Sequence, residues 1–451
     1  MTSARHALAV FAVLSAMALV VLDAGIANLA LPVMAQSLRV APAQSVLVVT
    51  AYQAGLIMAL LPAGALGERF GCRPVFAGGV ALFAAASAAC ALAPSLPWLV
   101  AARLVQGLGG AAVMALGVAL LRFTVPIGRL GAAIGWNALT VALSAAAAPS
   151  LGAAILSLGG WRALFAVNLP LAIAALAAAQ VLPATPRKAT GSDYASMALN
   201  AAAFGLLILG VEFATSEPTL AALLAAAGAA ALAALVRREA HCPAPLIPLD
   251  LLRLRALRLS VIASVCCFAG QGAGLLALPF LLQHDLGLSP MTSGLYITAW
   301  PLSVAATAIV AGRLSDRLPT AWLCAAGAAS LAAGLAGAAF CPLQGEPAAL
   351  LPFIMLSGVG FGLFQTPNNR NLFLSAPPSR SGATGGLQGS ARVTGQTLGA
   401  LAMTLLFQAA PMASGPRLGL AAAAILALAA SLVSLLRSPS NPALVNERSV
   451  S

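Results

Sequence analysis

Gly64-Ala-Leu-Gly-Glu-Arg69 returns 248 residues later as Gly312-Arg-Leu-Ser-Asp-Arg317. Each copy follows the second apolar run of a block of six such runs. The two blocks, 7–182 and 259–437, are nearly equal in length. An internal repeat on this scale, with its charged signature at the same place in each half, predicts two parallel six-helix halves. Two further apolar runs, 195–213 and 218–236, lie between them. The chain therefore divides into 1–182 (first six-helix half), 183–258 (two extra helices and a linker) and 259–451 (second half and a short tail).

Composition says what surrounds these helices. Of 451 residues, 61% are hydrophobic and 8% charged, with mean hydropathy +0.97; a soluble domain carries roughly 25% charged residues. Too few charges are present to cover a water-facing globule of this size. A bilayer-spanning helix needs about 20 residues, so fourteen of them leave about 11 for each loop or tail. A soluble catalytic domain does not fit, and the expectation is an all-α polytopic membrane protein with 14 spans. Of the 23 Lys and Arg, Arg103 and Arg392 fall inside spans. Arg39, Arg162 and Arg417 lie on one side, and the remaining eighteen on the other. The positive-inside rule then places both termini in the cytoplasm. Omitting both runs of 195–236 leaves that parity intact, so twelve spans is the alternative. The apolar stretch after Arg5 and His6 runs on past Asp23 to Pro32, which favours an uncleaved first helix over a signal peptide.

Several chemistries are excluded. The net charge of +12 would suggest nucleic acid in a soluble protein, but here it sits in short loops and sets topology. The seven cysteines show no C-x-x-C or zinc-type spacing, so no metal is expected. There is no Walker lysine pattern, since the sole lysine, Lys188, follows Arg187, and no H-E-x-x-H. Neither ATP hydrolysis nor a membrane protease is encoded; no enzyme and no cofactor are expected.

Among the 11 acids only Asp23 lies deep in a span, about 16 residues or roughly 24 Å into the first helix. A carboxylate there costs several kcal/mol unless paired, hydrated or protonated, which suits a proton-coupling group. Arg103, about 6 residues into the fourth helix, lies at similar depth and can pair with it. A static ion pair between two helices is the simpler alternative. Glu212 lies near the end of the seventh helix, where its carboxylate can reach interfacial water. Asn28, Tyr52, Gln53, Trp136, Gln271 and Trp300 are candidates for lining a substrate cavity, or for interhelical packing and hydrogen bonds. Gly64, Glu68, Arg69, Gly71 and Arg73, with Gly312, Asp316 and Arg317, sit at helix ends. There, glycine permits close backbone approach and charges set topology.

The motifs resemble those of the major facilitator superfamily, and within it the fourteen-span drug:proton antiporters, over nearly the whole chain. Leu22-Asp23-Ala-Gly-Ile-Ala-Asn28-Leu-Ala-Leu-Pro32 is similar to that family's first-helix signature. Gly64–Arg73 resembles the superfamily motif between helices two and three, with Glu68 where Asp is usual. Arg103-Leu-Val-Gln106-Gly107-Leu-Gly109 resembles the fourth-helix motif, and Trp161-Arg-Ala-Leu-Phe165-Ala-Val-Asn168-Leu-Pro170 the entry to helix six. Three positions depart: Ala148-Pro149-Ser150-Leu151-Gly152 replaces the Gly-Pro antiporter motif of helix five, Leu47 replaces a Trp, and Pro319 stands where glycine is common. Pro149 and Gly152 remain.

The resemblance implies a major facilitator fold in a bacterial inner membrane, acting as a monomer and driven by the proton gradient. It would export small, lipophilic or cationic compounds, as in multidrug efflux, with the residues around Glu68 and Asp316 forming a charge latch. The weakened helix-five motif keeps a symporter or specific-metabolite exporter open. A scaffold or sensor is disfavoured because no soluble relay domain is attached.

Overall fold

The computed structural model describes residues 3–185, 187, 193–240, 248–315, 317–342, 346–376, 381–409 and 414–437. The chain forms two compact units, Met1–Ile247 and Pro248–Ser451. In the first unit run α1 (Ser3–Leu38), α2 (Pro42–Phe70), α3 (Cys72–Ala91), α4 (Leu96–Thr124), α5 (Ile127–Ala166), α6 (Asn168–Ala179), α7 (Tyr194–Glu212) and α8 (Pro218–Glu239). The second holds the short α9 (Leu249–Leu252), α10 (Arg255–Phe280), a π turn at Leu281–Asp285, α11 (Pro290–Leu314) and α12 (Thr320–Phe340). After a 3-10 turn at Pro347–Leu350 come α13 (Leu351–Ser375), α14 (Ser381–Ala409) and α15 (Gly415–Leu435). Among the described residues, twelve helical stretches are long and apolar enough to cross a bilayer. Large apolar side chains such as Leu158, Ile173, Leu223, Ile309 and Ile425 stand exposed on them. Lipid tolerates such a surface and water does not.

Local chemistry explains the ends. Proline occupies the first turn of α2, α4, α8 and α11, where its missing N–H is no loss. The Asp193 and Ser289 side chains accept from the N–H groups of Ser196 and Thr292 to cap α7 and α11. Apolar periodicity alone ends the second helix near 66, but α2 continues to Phe70. The Gly64–Arg69 signature therefore lies on helix. Apolar periodicity gives separate fifth and sixth helices at about 131–158 and 163–182, and Gly160 breaks α5 between them with φ 69° and ψ −177°.

The repeat is visible in the packing. In the first unit α1 packs on α5 and α6, α4 on α2 and α3, and α3 on α6. In the second, α10 packs on α14 and α15, α13 on α11 and α12, and α12 on α15. Helix four approaches its neighbours through glycine in both. Gly107 lies against the Tyr52 carbonyl and Gly55, and Gly109 against Gly79 and Phe83. Gly358 lies against the Trp300 carbonyl and Ser303, and Gly360 against Gly327 and Leu331. Between α7, which also packs on α2, and α8, Gly210 and Gly228 provide the same kind of contact. The six described cysteines, Cys72, Cys90, Cys266, Cys267, Cys324 and Cys341, are free thiols.

Candidate functional site

Asp23 on α1 is 2% exposed, and three N–H donors converge on it. Arg103 Nη1 donates to Oδ2 at 2.5 Å; Gln106 Nε2 and Asn168 Nδ2 donate to Oδ1 at 3.0 and 2.7 Å. Arg103, fully buried on α4, also donates from Nη1 to Gln106 Oε1 at 2.6 Å. Its Nε donates to the Val48 carbonyl of α2 at 3.1 Å. Its guanidinium lies 4.2 Å from the Tyr52 ring centroid and 5.5 Å from that of Phe165. Gln106 Nε2 further donates to Ser87 of α3 at 2.8 Å. Five helices, α1 to α4 and α6, thus meet in one buried polar cluster.

The cluster has a chemical consequence. An ionised carboxylate only accepts hydrogen bonds, so it matches three donors. Oδ1 already accepts two hydrogen bonds, so a proton goes to the free lone pair of Oδ2, where it cancels the negative charge that faces Arg103. The group left without its anion is the Arg103 guanidinium, which cannot itself lose a proton.

Helix six is set by the stretch that precedes it. Trp161 Nε1 donates to Ser37 Oγ at the end of α1 (3.1 Å), and Arg162 Nη2 donates to the Ala93 carbonyl after α3 (2.9 Å). The Arg162 guanidinium also stacks on the Trp161 ring at 4.4 Å. Phe165 then faces Arg103, and Asn168 reaches Asp23. On the α1–α5 contact, a Cβ added at Gly25 would lie 2.6 Å from Ala148 Cβ, and one at Gly152 3.2 Å from Ile26. The alanine that replaces the usual glycine at 148 is accommodated because its partner is Gly25. Pro149 is buried beside it.

Among the described residues, the second unit has no equivalent cluster. The shared glycine contacts of α4 and α13 align Arg103 with Ile354 and Gln106 with Ser357. The contacts of Gly152 with Ile26 and of Gly399 with Ala273 align Asp23 with Gly270.

The expected gate is less compact. Glu68 is exposed, and Arg69 lies 5.1 Å from the ring centroids of both Phe70 and Tyr194. Arg73 is half-buried and Arg317 exposed; Asp316 lies outside the described residues. Close approach at Gly64 is not found, since an added Cβ there, or at Gly312, meets nothing among the described residues within 4 Å. Gly67, against the Leu116 side chain, is the crowded one. Gly71 takes φ 98°, which only glycine adopts without strain, and places Cys72 N–H on Thr185 Oγ1 at 2.7 Å.

The cavity candidates separate. Tyr52 belongs to the Arg103 cluster. Trp300 is 1% exposed between α10, α11 and α13, and Trp136 is 60% exposed on α5. Asn28, Gln53 and Gln271 are half-buried, each with a buried side-chain oxygen lacking a hydrogen-bond partner. Sequence reasoning missed Gln106, Asn168 and Ser87 as site residues. Gln106 was legible as Arg103 plus three, on one helix face; Ser87 carried no local signal.

The chain matches the Major Facilitator Superfamily over residues 13–236 and 259–450 and belongs to it: it is a membrane transporter and not an enzyme. It is 39% identical over 434 residues to the uncharacterized transporter YebQ of Escherichia coli strain K12, covering 95% of each chain. It is 32% identical over 396 residues to the tetracenomycin C resistance and export protein of Streptomyces glaucescens, covering 86% of this chain and 73% of that one. It is also 27% identical over 381 residues to the riboflavin transporter RibZ of Clostridioides difficile strain 630, covering 84% and 83%.

Proposed function

We propose that this transporter exports small lipophilic or cationic compounds in exchange for protons, by alternating access. The observation that carries the reading is that Asp23 is the anion paired with the buried Arg103, so a proton on Asp23 leaves that guanidinium without its counter-ion. A proton entering from the periplasm displaces Arg103 from Oδ2 and loosens α4 and α2 from α1, favouring the inward-facing state that takes up cargo. Proton release to the cytoplasm restores the pair. Leaving a buried charge unpaired costs about 3–5 kcal/mol. One proton moving down 100 mV and one pH unit yields about 2.3 plus 1.4 kcal/mol, which is the same size. The cargo class is supported by a mostly apolar helical environment with one carboxylate and by the export protein among the relatives. No cofactor is required beyond the gradient.

The same reading has fourteen passes, a bacterial inner membrane, cytoplasmic termini and a monomer. The apolar stretch Gly135–Ala179 is 45 residues, roughly 68 Å of helix, which is twice a bilayer core. Its break at Gly160 lies beside Trp161 and Arg162, which reach the ends of α1 and α3, as a turn between two passes requires. The less apolar α14, 29 residues long, packs on α10 as α5 packs on α1. Single cysteines at Ser216 and at Thr190, which is outside the described residues, should label from the periplasm and the cytoplasm respectively. Labelling of both from one side refutes the count.

The export test uses purified protein in proteoliposomes with an imposed pH gradient. Wild type drives substrate uphill and Asp23→Asn does not; equal accumulation by both refutes the mechanism. A proton-coupled symporter or exporter of a specific metabolite is the second reading: the riboflavin transporter among the relatives supports a single metabolite as cargo, and Ala148 in the helix-five motif leaves the direction open. Cells expressing a symporter accumulate more substrate rather than less, and an uncoupler abolishes the difference.

A further inference from the structure

Glu212, at the end of α7, is only partly open to its surroundings. It is half-buried, Oε1 is buried without a hydrogen-bond partner, and the carboxyl group lies beside Thr50 of α2. The reason is an offset between helices. α7 runs antiparallel to α2: Tyr194 lies under Arg69, Asn200 Nδ2 donates to the Met58 carbonyl at 2.9 Å, and Glu212 meets Thr50. Thr50 is eight residues past Pro42, so the end of α7 stops about 12 Å below the start of α2. That is the level of the Asp23–Arg103 pair. Val48, whose carbonyl holds Arg103, and Tyr52, whose ring covers it, flank Thr50 in sequence and face α4, while Thr50 faces α7.

The hydrogen bonding at Thr50 depends on the proton of Glu212. Thr50 is 1% exposed, and its hydroxyl donates to the Val46 carbonyl at 3.2 Å. That uses the only hydroxyl proton, so a protonated Glu212 fits by donating to Thr50 Oγ1. An ionised Glu212 needs the hydroxyl proton for itself and takes it from Val46. No charged group among the described residues stands by to neutralise the carboxylate: α2 presents Thr50, α8 presents Ala221 and Ala225 to the last turn of α7, and Glu217 in the intervening turn is exposed.

We infer that Glu212 is a second proton-carrying carboxylate, placed by the α7–α8 pair against the far side of the helix that clamps Arg103. It takes a proton from periplasmic water and returns it as a proton, so the step is a simple binding and release. This rests on the proton-coupled reading above and adds a carrier to it.

The experiment measures the zero-flux point in proteoliposomes: the substrate gradient that just balances an imposed pH gradient. This quantity reports protons per substrate and is insensitive to turnover, so a merely structural role for Glu212 leaves it unchanged. Glu212→Gln should balance at a smaller substrate gradient than wild type, by about tenfold per pH unit for each proton lost. Glu212→Asp, which keeps the acid, should retain the wild-type balance. Thr50→Val removes the hydroxyl and should shift the pH at which transport is half-maximal. An unchanged zero-flux point in Glu212→Gln overturns the inference, whatever its rate. Asp23→Asn is run in parallel: loss of coupling there with an unchanged Glu212→Gln leaves the main mechanism standing and removes only the second carrier.

Discussion

Removing Asp23 and removing Arg103 should have different pH signatures, although the two side chains form one ion pair. In Asp23→Asn the Arg103 guanidinium keeps Gln106 Oε1, the Val48 carbonyl and the Tyr52 and Phe165 rings, all of which it already has. Nothing new replaces the lost anion, and a guanidinium cannot shed its charge at accessible pH. The cost is that of a buried unpaired charge, about 3–5 kcal/mol, independent of pH. At about 1.4 kcal/mol per tenfold, this shifts the balance between packed and opened forms of the first unit by two to three and a half powers of ten. In Arg103→Leu the stranded group is Asp23, which retains the Gln106 and Asn168 donors and can bind a proton. Its penalty is therefore largest at high pH and shrinks as the pH falls. Thermal unfolding of both variants in lipid nanodiscs between pH 8 and pH 5 distinguishes them. The Asn variant should be destabilised by a similar amount throughout, and the Leu variant should recover toward wild type in acid. Wild-type stability of Asp23→Asn, or a pH-independent Arg103→Leu, would refute an ionised Asp23 held by Arg103.

Gly25→Ala should impair folding and transport by overpacking, at about 1–3 kcal/mol, because its new Cβ meets Ala148. The double variant with Ala148→Gly should recover, measured by the yield of folded protein and by transport rate. Gly107→Ala should be at the severe end of that range, since its Cβ meets the Tyr52 carbonyl and lies 3.0 Å from Gly55 Cα. Gly64→Ala should be silent in the same expression and melting assays. At the α7–α8 ends, Arg238 Nε and Nη2 donate to Asp193 at 2.9 and 3.0 Å. These bonds hold its carboxyl at about 2, down from 3.8. A lowered carboxyl contributes stability that is present above its unfolded value and is lost as the pH falls through about 2. The pair is 49% and 34% exposed, so Arg238→Gln should cost under about 1 kcal/mol at neutral pH. Melting curves should show that difference vanish near pH 2.

Much of this protein follows from one-dimensional chemistry. Apolar runs of membrane length, the repeat of Gly64–Arg69 at Gly312–Arg317, and the sidedness of basic loops require only local composition and spacing. They specify helices, their order and the two related halves. Depth along a single helix is equally local, which is why Asp23 and Arg103 were recognisable as an intramembrane acid and base at one level. Tertiary structure decided what lies beside what. Asn168 and Ser87 join Asp23 only because α6 and α3 pack against α1 and α4, a lateral choice that no spacing within one helix encodes. Gly67 rather than Gly64 is crowded because only that face of α2 meets Leu116. Glu212 has Oε1 buried because α7 ends short of the start of α2, and an offset between two helices is set by their packing, not by the length of either.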